Sequence, residues 1–387
     1  MTCRQKDLLF WREKQQLDSV YDFFKRKRDW SKYKDLILDY YLGPYLQIVK
    51  RIGKPILVVD CFAGAGRFDD GQSGSPLIIA KHLQELHDLH FPVTGYFIEE
   101  VTELYNRLKE NVRDLTIPIE TRFGSFREHV AEVTRLSQTH TVFVYVDPFK
   151  PTDVIFNDLE PVYDQLKRGG SVELLMNFMS VGFLRGVQSF RNRVMADGGL
   201  LKEHALVLKW NEIAGGTYWQ QIAYDARLSP DEQADGLAHG YAGTLKKWFN
   251  CVLPFPVREK YKHKWPKYHL IFGSRHHKAA ELMNRAMVKA RREFVNVGFI
   301  KGYLFPNQPQ KEVLDPHTIL RIVVETSREV GRINWADLRV QATVANPAAY
   351  TDSEFNSAIK RAICEGKLAS DRDGRKIEEA AFVWPVD

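Results

Sequence analysis

The sequence predicts an α/β protein built on an open, doubly wound sheet of about seven strands, mostly parallel, with the last pair antiparallel. Three observations predict it. From residue 55 to 178, short runs rich in β-branched and aromatic residues alternate with helical stretches, the pattern of successive β-α-β units. Two of those runs, PILVVD (55–60) and TVFVYVD (141–147), are apolar almost throughout, as strands buried on both faces are. CVLPFPV (251–257) and KYHLIFGS (267–274) lie too close together for a crossover helix, which makes them an antiparallel pair.

In chain order, residues 1–50 read as a helical segment. Tyr33, Leu36, Ile37, Tyr40 and Tyr41 fall on one face, Ser31 is placed to cap the start, and Gly43-Pro44 is expected to bend or break the helix. A core domain spans 51–302. Its remaining strands are VTGYFIE (93–99), IPIETRF (117–123) and SVELLMNF (171–178), with amphipathic helices between them. Glycine-punctuated helices form an insertion at 180–250, and the basic helix HHKAAELMNRAMVKARREF, opened by His276-His277, follows the late strand pair. A linker at 303–312 leads to 313–387. There, helices at Pro316–Val330, Trp335–Val340 and Asp352–Glu365 precede two short strands around an Asp-Gly turn, the order of a winged helix.

The 387 residues are 44% hydrophobic and 27% charged, as in a globular protein with a full core. No apolar stretch reaches the roughly 18–20 residues needed to cross a bilayer, and the N-terminus lacks the apolar core of a secretory signal. The four scattered cysteines argue for reduced thiols in the cytoplasm and against a zinc site. No metal is expected: His82, His87 and His90 lack the i, i+4 pairing a helical site uses. No nucleophilic triad can be assembled from the sequence. The net charge of +6 is uneven, with 12 Lys and Arg against 3 acids between Arg258 and Lys301. FFKRKRDWSKYK (23–34) is a second basic cluster. Both suit a polyanion such as DNA or RNA, with Lys289, Arg291 and Arg292 as candidate phosphate contacts.

Ligands of an open parallel sheet sit at the carboxyl ends of its strands. The first strand ends in Asp60 and runs into CFAGAGRF, where Gly64 and Gly66 let backbone amides approach a ligand. A dinucleotide fingerprint needs a third glycine where Asp69 stands, and the absence of G-K-[ST] excludes a phosphate-cradling loop. Glu99, ending the second strand, is placed to accept both hydroxyls of a ribose. Ser125 and Phe126, after the third, are placed to read and cover an adenine, and the fourth ends in Asp147-Pro148-Phe149.

DCFAGAGRF, FIEE, FGSF and DPF together resemble the Rossmann-fold methyltransferases that use S-adenosylmethionine. More narrowly, nearly the whole chain is similar to the three-Cys-motif partner family, through DFFKRKRDWSKYKDLIL, VDCFAGAGRFDDGQSGSPLIIA, VDPF and KYHLIFGSRHHKAAELM. The resemblance implies S-adenosylmethionine as cofactor and a three-Cys-motif protein as partner. It implies Asp60 as the cofactor-binding acid ending the first strand, Ala63, Gly64 and Gly66 facing the methionine carboxylate and ribose, Glu99 on the ribose hydroxyls, and Ser125 and Phe126 near the adenine. Asp147, Pro148 and Phe149 resemble the D-P-P-[YF] signature of enzymes that methylate exocyclic amines of bases, where acid and carbonyl hold the amine and the ring stacks on the base. Two departures stand out. The second proline is missing, and DDGQSGSP lengthens the glycine loop, with Ser75 and Pro76 expected as N-cap and first helical residue. That insertion is suited either to close over a cofactor or to meet the partner. Two functions stay open: an amine methyltransferase, or a catalytically silent Rossmann-fold subunit or adaptor.

Overall fold

The structure, a computed structural model, describes residues 25–196, 205–258, 265–302, 315–372 and 380–386. The linker expected at 303–312, the Asp-Gly turn and the first 24 residues of the expected helical segment lie outside these. The elements are α1 (Asp29–Val49), β1 (Ile56–Asp60), α2 (Ser75–His87), β2 (Val93–Glu99), α3 (Thr102–Val112), β3 (Ile119–Phe123), α4 (Phe126–Leu136) and β4 (Thr141–Val146). There follow α5 (Phe156–Tyr163), β5 (Ser171–Phe178), α6 (Ser180–Ala196), α7 (Ala205–Ala214), α8 (Tyr218–Ala223), α9 (Pro230–Leu245), β6 (Cys251–Val257) and β7 (Tyr268–Ser274). The chain ends with α10 (His277–Gly302), α11 (Pro316–Val330), β8 (Ile333–Asn334), α12 (Trp335–Ala345), α13 (Asp352–Cys364), β9 (Leu368–Ser370) and β10 (Phe382–Pro385).

Seven strands form one sheet in the order β3-β2-β1-β4-β5-β7-β6, a doubly wound Rossmann-like sheet with β7 antiparallel to both neighbours. The chain separates into two compact units, one ending at Asp147 and the other beginning at Pro148. In the first unit, β1 pairs in parallel with β2 and β4 and is buried along its whole length, as its unbroken apolar run requires. Tyr41 and Tyr45 of α1 stack at 5.2 Å, and both pack against Phe143.

The helix α1 runs through Gly43-Pro44 without the break considered there. An interior proline costs about 3 kcal/mol. Burial of Tyr41, Leu42, Tyr45 and Leu46, at about 1.5–3 kcal/mol for a large side chain, outweighs it. A second difference lies at α2, where Gly74 is the N-cap and Ser75 already helical. Ser75, half-buried in the first turn, lies near enough to Asp60 to favour its ionised form.

In the second unit, β5, β7 and β6 carry the aromatic core of the helices from 180 to 245, with Phe183 edge-on to Trp210 at 4.7 Å. Residues 316–385 add a separate apolar cluster around Leu320, Val323, Phe355 and Ile359, closed by a three-stranded sheet β8-β10-β9. That cluster is tied to α10 by the buried pair Arg339–Glu281 at 2.5 Å and by Asn284, whose amide bonds both Tyr350 and Ala348 backbone. No helix among the described residues is long and apolar enough to cross a membrane.

Candidate functional site

The first unit gathers its acids at the carboxyl ends of β1, β2 and β4. Asp60 ends β1 with no exposed surface. Its Oδ1 accepts the Phe62 N–H at 3.2 Å, while Oδ2 is buried with no hydrogen-bond partner among the described residues. Burial, reinforced by the charge of Asp147, pushes its carboxyl up to about 7 despite the bonds from Ser75 and Phe62 and the nearby Lys34. The Oδ2 oxygen of this carboxyl is left without a donor of its own among the described residues.

The glycine loop follows this acid in the chain. Gly64 and Gly66 hold φ of 61° and 75°, a left-handed conformation that costs other residues roughly 1–2 kcal/mol. Ala63 donates its N–H to Ile98 O at 2.9 Å, and Asn111 of α3 bonds Ala65 O at 2.8 Å, so the loop is fastened on both sides. Glu99 is 3% exposed; one oxygen accepts the Gly64 N–H at 2.7 Å and the other the Val101 N–H at 2.7 Å. Burial holds its carboxyl above the usual range against those two bonds. Each oxygen keeps lone-pair capacity for a further donor such as a hydroxyl.

The insertion after the glycines folds as a tight hairpin, Arg67 bridging Ser73 and Gly74 N–H closing on Gly66 O at 2.8 Å. Arg107 of α3 grips it through Asp69 at 2.6 Å. From the other side, Lys27 bonds Ser73 O at 2.6 Å and, through its N–H, Asp70 at 3.1 Å.

Lys27 and Lys34 belong to the basic cluster expected to face a polyanion; the structure turns both inward. Lys34 is paired with Asp147, and Lys27 with Asp35 at 2.6 Å, the lysines being 6% and 7% exposed. Burial pulls the Lys34 ammonium down, but the charges of Asp147 and Asp35 outweigh it and hold it above its ordinary value. Burial raises the Asp35 carboxyl in spite of both lysines. Lys34, Asp35 and Ser75 are thus site residues that the motifs did not name. A signal for Lys34 existed: it shares the spacing 34, 38, 41, 45 with Leu38, Tyr41 and Tyr45, the stripe that buries α1.

Ser125 is the N-cap of α4, its N–H donating to Glu128 at 2.9 Å, and Phe126 is 5% exposed in the core below it. Pro148 and Phe149 belong to the second unit. Pro148 lines a small cleft with Pro151, Asn177, Phe178 and Tyr241, and Phe149 is half-buried. The Tyr241 hydroxyl is buried without a partner among the described residues. On α10, Lys289 is exposed, Arg291 donates to Ala349 O at 3.1 Å and Arg292 pairs with Glu354 at 2.8 Å.

The structure also assembles a chain the sequence did not disclose: Ser180 Oγ meets His269 Nδ1 at 2.7 Å, and His269 Nε2 meets Asp235 at 2.8 Å. Ser180 and His269 are 0% and 1% exposed, so no substrate reaches the hydroxyl, and the chain ties α6, β7 and α9 together. Among the described residues no group of three or more His, Cys, Asp or Glu is placed to hold a metal ion.

No protein-family model matches the sequence, and no curated protein matches it. Solved structures similar to the chain include a Staphylococcus aureus protein assigned as a caffeoyl-CoA O-methyltransferase, at 11% identity and a TM-score of 0.30, over 60% of this chain and 82% of that one. The plantazolicin methyltransferase BamL, in complex with a triazolic desmethyl analogue and SAH, matches at 11% identity and 0.29, over 68% of this chain and 91% of that one. A Legionella pneumophila protein matches at 11% and 0.27, over 48% and 75%. Likenesses this distant bear on neither the reaction nor the ligand.

Proposed function

We propose that the protein binds S-adenosylmethionine at the carboxyl ends of β1 and β2 and is a methyltransferase acting on an exocyclic amine of a nucleic acid, together with a three-Cys-motif partner. One observation carries the reading: the buried Asp60 oxygen with no partner among the described residues, at the strand end from which a loop with two left-handed glycines departs. A ligand bearing an ammonium and a sulfonium supplies a charged donor for this open oxygen, and a ribose supplies hydroxyls for Glu99. In this reading Ala63, Gly64 and Gly66 line the methionine and ribose portions, and Ser125 and Phe126 support the adenine end. Asp147 and the Pro148 carbonyl accept the target amine, Phe149 contacts the base, and the cluster at residues 316–385 serves as a winged helix. The bound cofactor supplies the electrophilic methyl group. The chain's own task is to orient the amine and take its proton.

A specific observation favours a second reading. Lys34 already occupies Asp147, and an acid engaged by an internal ammonium is not open to a substrate amine. The protein would then be a cofactor-holding but silent subunit for its partner. Labelled-methyl transfer, assayed with the partner present, separates the two. An enzyme transfers methyl to DNA or RNA and loses transfer in Asp147→Ala while keeping cofactor affinity within a few-fold. Cofactor binding without transfer to nucleic acid or partner selects the silent subunit. No calorimetric heat and no thermal shift with S-adenosylmethionine or its demethylated product removes both.

A further inference from the structure

β3 closes one end of the sheet and, among the described residues, pairs only with β2. An edge strand presents a row of unpaired backbone groups that can template another strand, and proteins blunt it with unpaired charges, proline or a bulge. β3, with the sequence IETRF, has no proline or lysine, and its register with β2 runs without interruption from Ile119 to Phe123. Its residues are half-buried except Phe123, whose side chain is 51% exposed and lies 5.4 Å from the ring of Tyr105. Alternation along a strand puts Glu120 and Arg122 on one face and Ile119, Thr121 and Phe123 on the other. Glu120 and Arg122 are ion-paired to each other, and Arg122 also to Glu132.

We infer that β3 is a dimerisation edge whose occupant is β3 of a second copy of this chain, paired antiparallel about Thr121. The charges decide the occupant and the register. Centred on Thr121, the pairing sets Glu120 opposite the second copy's Arg122 and Arg122 opposite its Glu120. On the other face Ile119 meets Phe123 twice, and Thr121 meets Thr121. Centring one residue earlier sets Glu120 against Glu120; one residue later sets Arg122 against Arg122. Like charges directly opposite are destabilising, so of these three registers only the one centred on Thr121 is free of them, and shifting further leaves fewer of the five strand residues paired. The two-fold axis makes the contact isologous and closed, which stops it from propagating into fibres. Five paired residues form an interface at the small end of the range, below about 1,200 Å², so the dimer is weak and concentration-dependent.

Sedimentation velocity of the full chain, from low to high micromolar concentration, is expected to show reversible dimerisation. Glu120→Arg and Arg122→Glu each set like charges across the axis and weaken the dimer by about tenfold. Mixing the two single variants restores it, since each then faces its complement. Arg122→Glu also removes the bond to Glu132, so Phe123→Lys provides a variant without that burden; it weakens the dimer equally. A wild type monomeric throughout the range overturns the inference. So does a dimer that survives both Glu120→Arg and Phe123→Lys, or one that the mixture does not restore; β3 would then be open to a partner's strand or to none.

Discussion

Replacing Asp60 by asparagine probes the candidate site through both stability and binding. The unfolded chain ionises this carboxyl near its ordinary value of 3.8, whereas in the fold burial keeps the proton until about 7. Between those values the native state binds more protons than the unfolded state, so stability falls as pH rises through the window. The displacement corresponds to at most about 4 kcal/mol, fully lost above about pH 8 in the ligand-free protein. Asp60→Asn keeps the shape and removes the titration. Urea unfolding at about pH 5 and about pH 8 should therefore show a smaller pH loss in the variant than in wild type, by up to that amount. The ligand reads the same group from the other side. A charge-assisted bond from an ammonium is worth about 1.5–3 kcal/mol, which makes Asp60→Asn about 10- to 150-fold weaker for S-adenosylmethionine near pH 8 by calorimetry. Wild-type affinity should itself decline below pH 7 as Asp60 takes up its proton. A folded variant with unchanged affinity, or with the wild-type pH dependence of unfolding, refutes the reasoning.

Lys34→Met removes the cation from a largely buried pair and leaves Asp147 uncompensated; thermal unfolding should show a loss of about 3 kcal/mol, and none if the pair contributes nothing. Ser180→Ala strips His269 Nδ1 of its partner in a site without water access, costing about 1–3 kcal/mol in urea unfolding. Neutralising Lys289, Arg291 and Arg292 together should shallow the salt dependence of nucleic-acid binding by up to about one unit of slope for each phosphate no longer engaged. Because Arg291 and Arg292 also hold Ala349 and Glu354, the same variant should unfold more easily. An unchanged slope moves the footprint to another surface.

The strands were legible from local pattern. VTGYFIE, SVELLMNF and CVLPFPV occupy the very residues expected, because burial on one or both faces of a sheet demands a period that a short window of sequence displays. Asp60, Gly64, Gly66, Glu99 and Asp147 were legible for the same reason: each lies where a strand ends, and strand ends follow from the apolar runs. What sequence could not supply were the partners. Gly43-Pro44 reads as a break in isolation, yet the tyrosines packing on Phe143 carry α1 through it. The segment 23–34 reads as a basic surface, yet Lys27 and Lys34 are spent on Asp35 and Asp147, acids 8 and 113 positions away, and the nearer of them is itself buried. Ser180, His269 and Asp235 are separated by long stretches of chain and carry no motif at all. Backbone period is a local property, set by 3.6 or 2 residues per repeat and readable in any window. The pairing of charges and the fate of a buried proton depend on which atoms the finished fold brings within bonding distance, and only tertiary structure decides that.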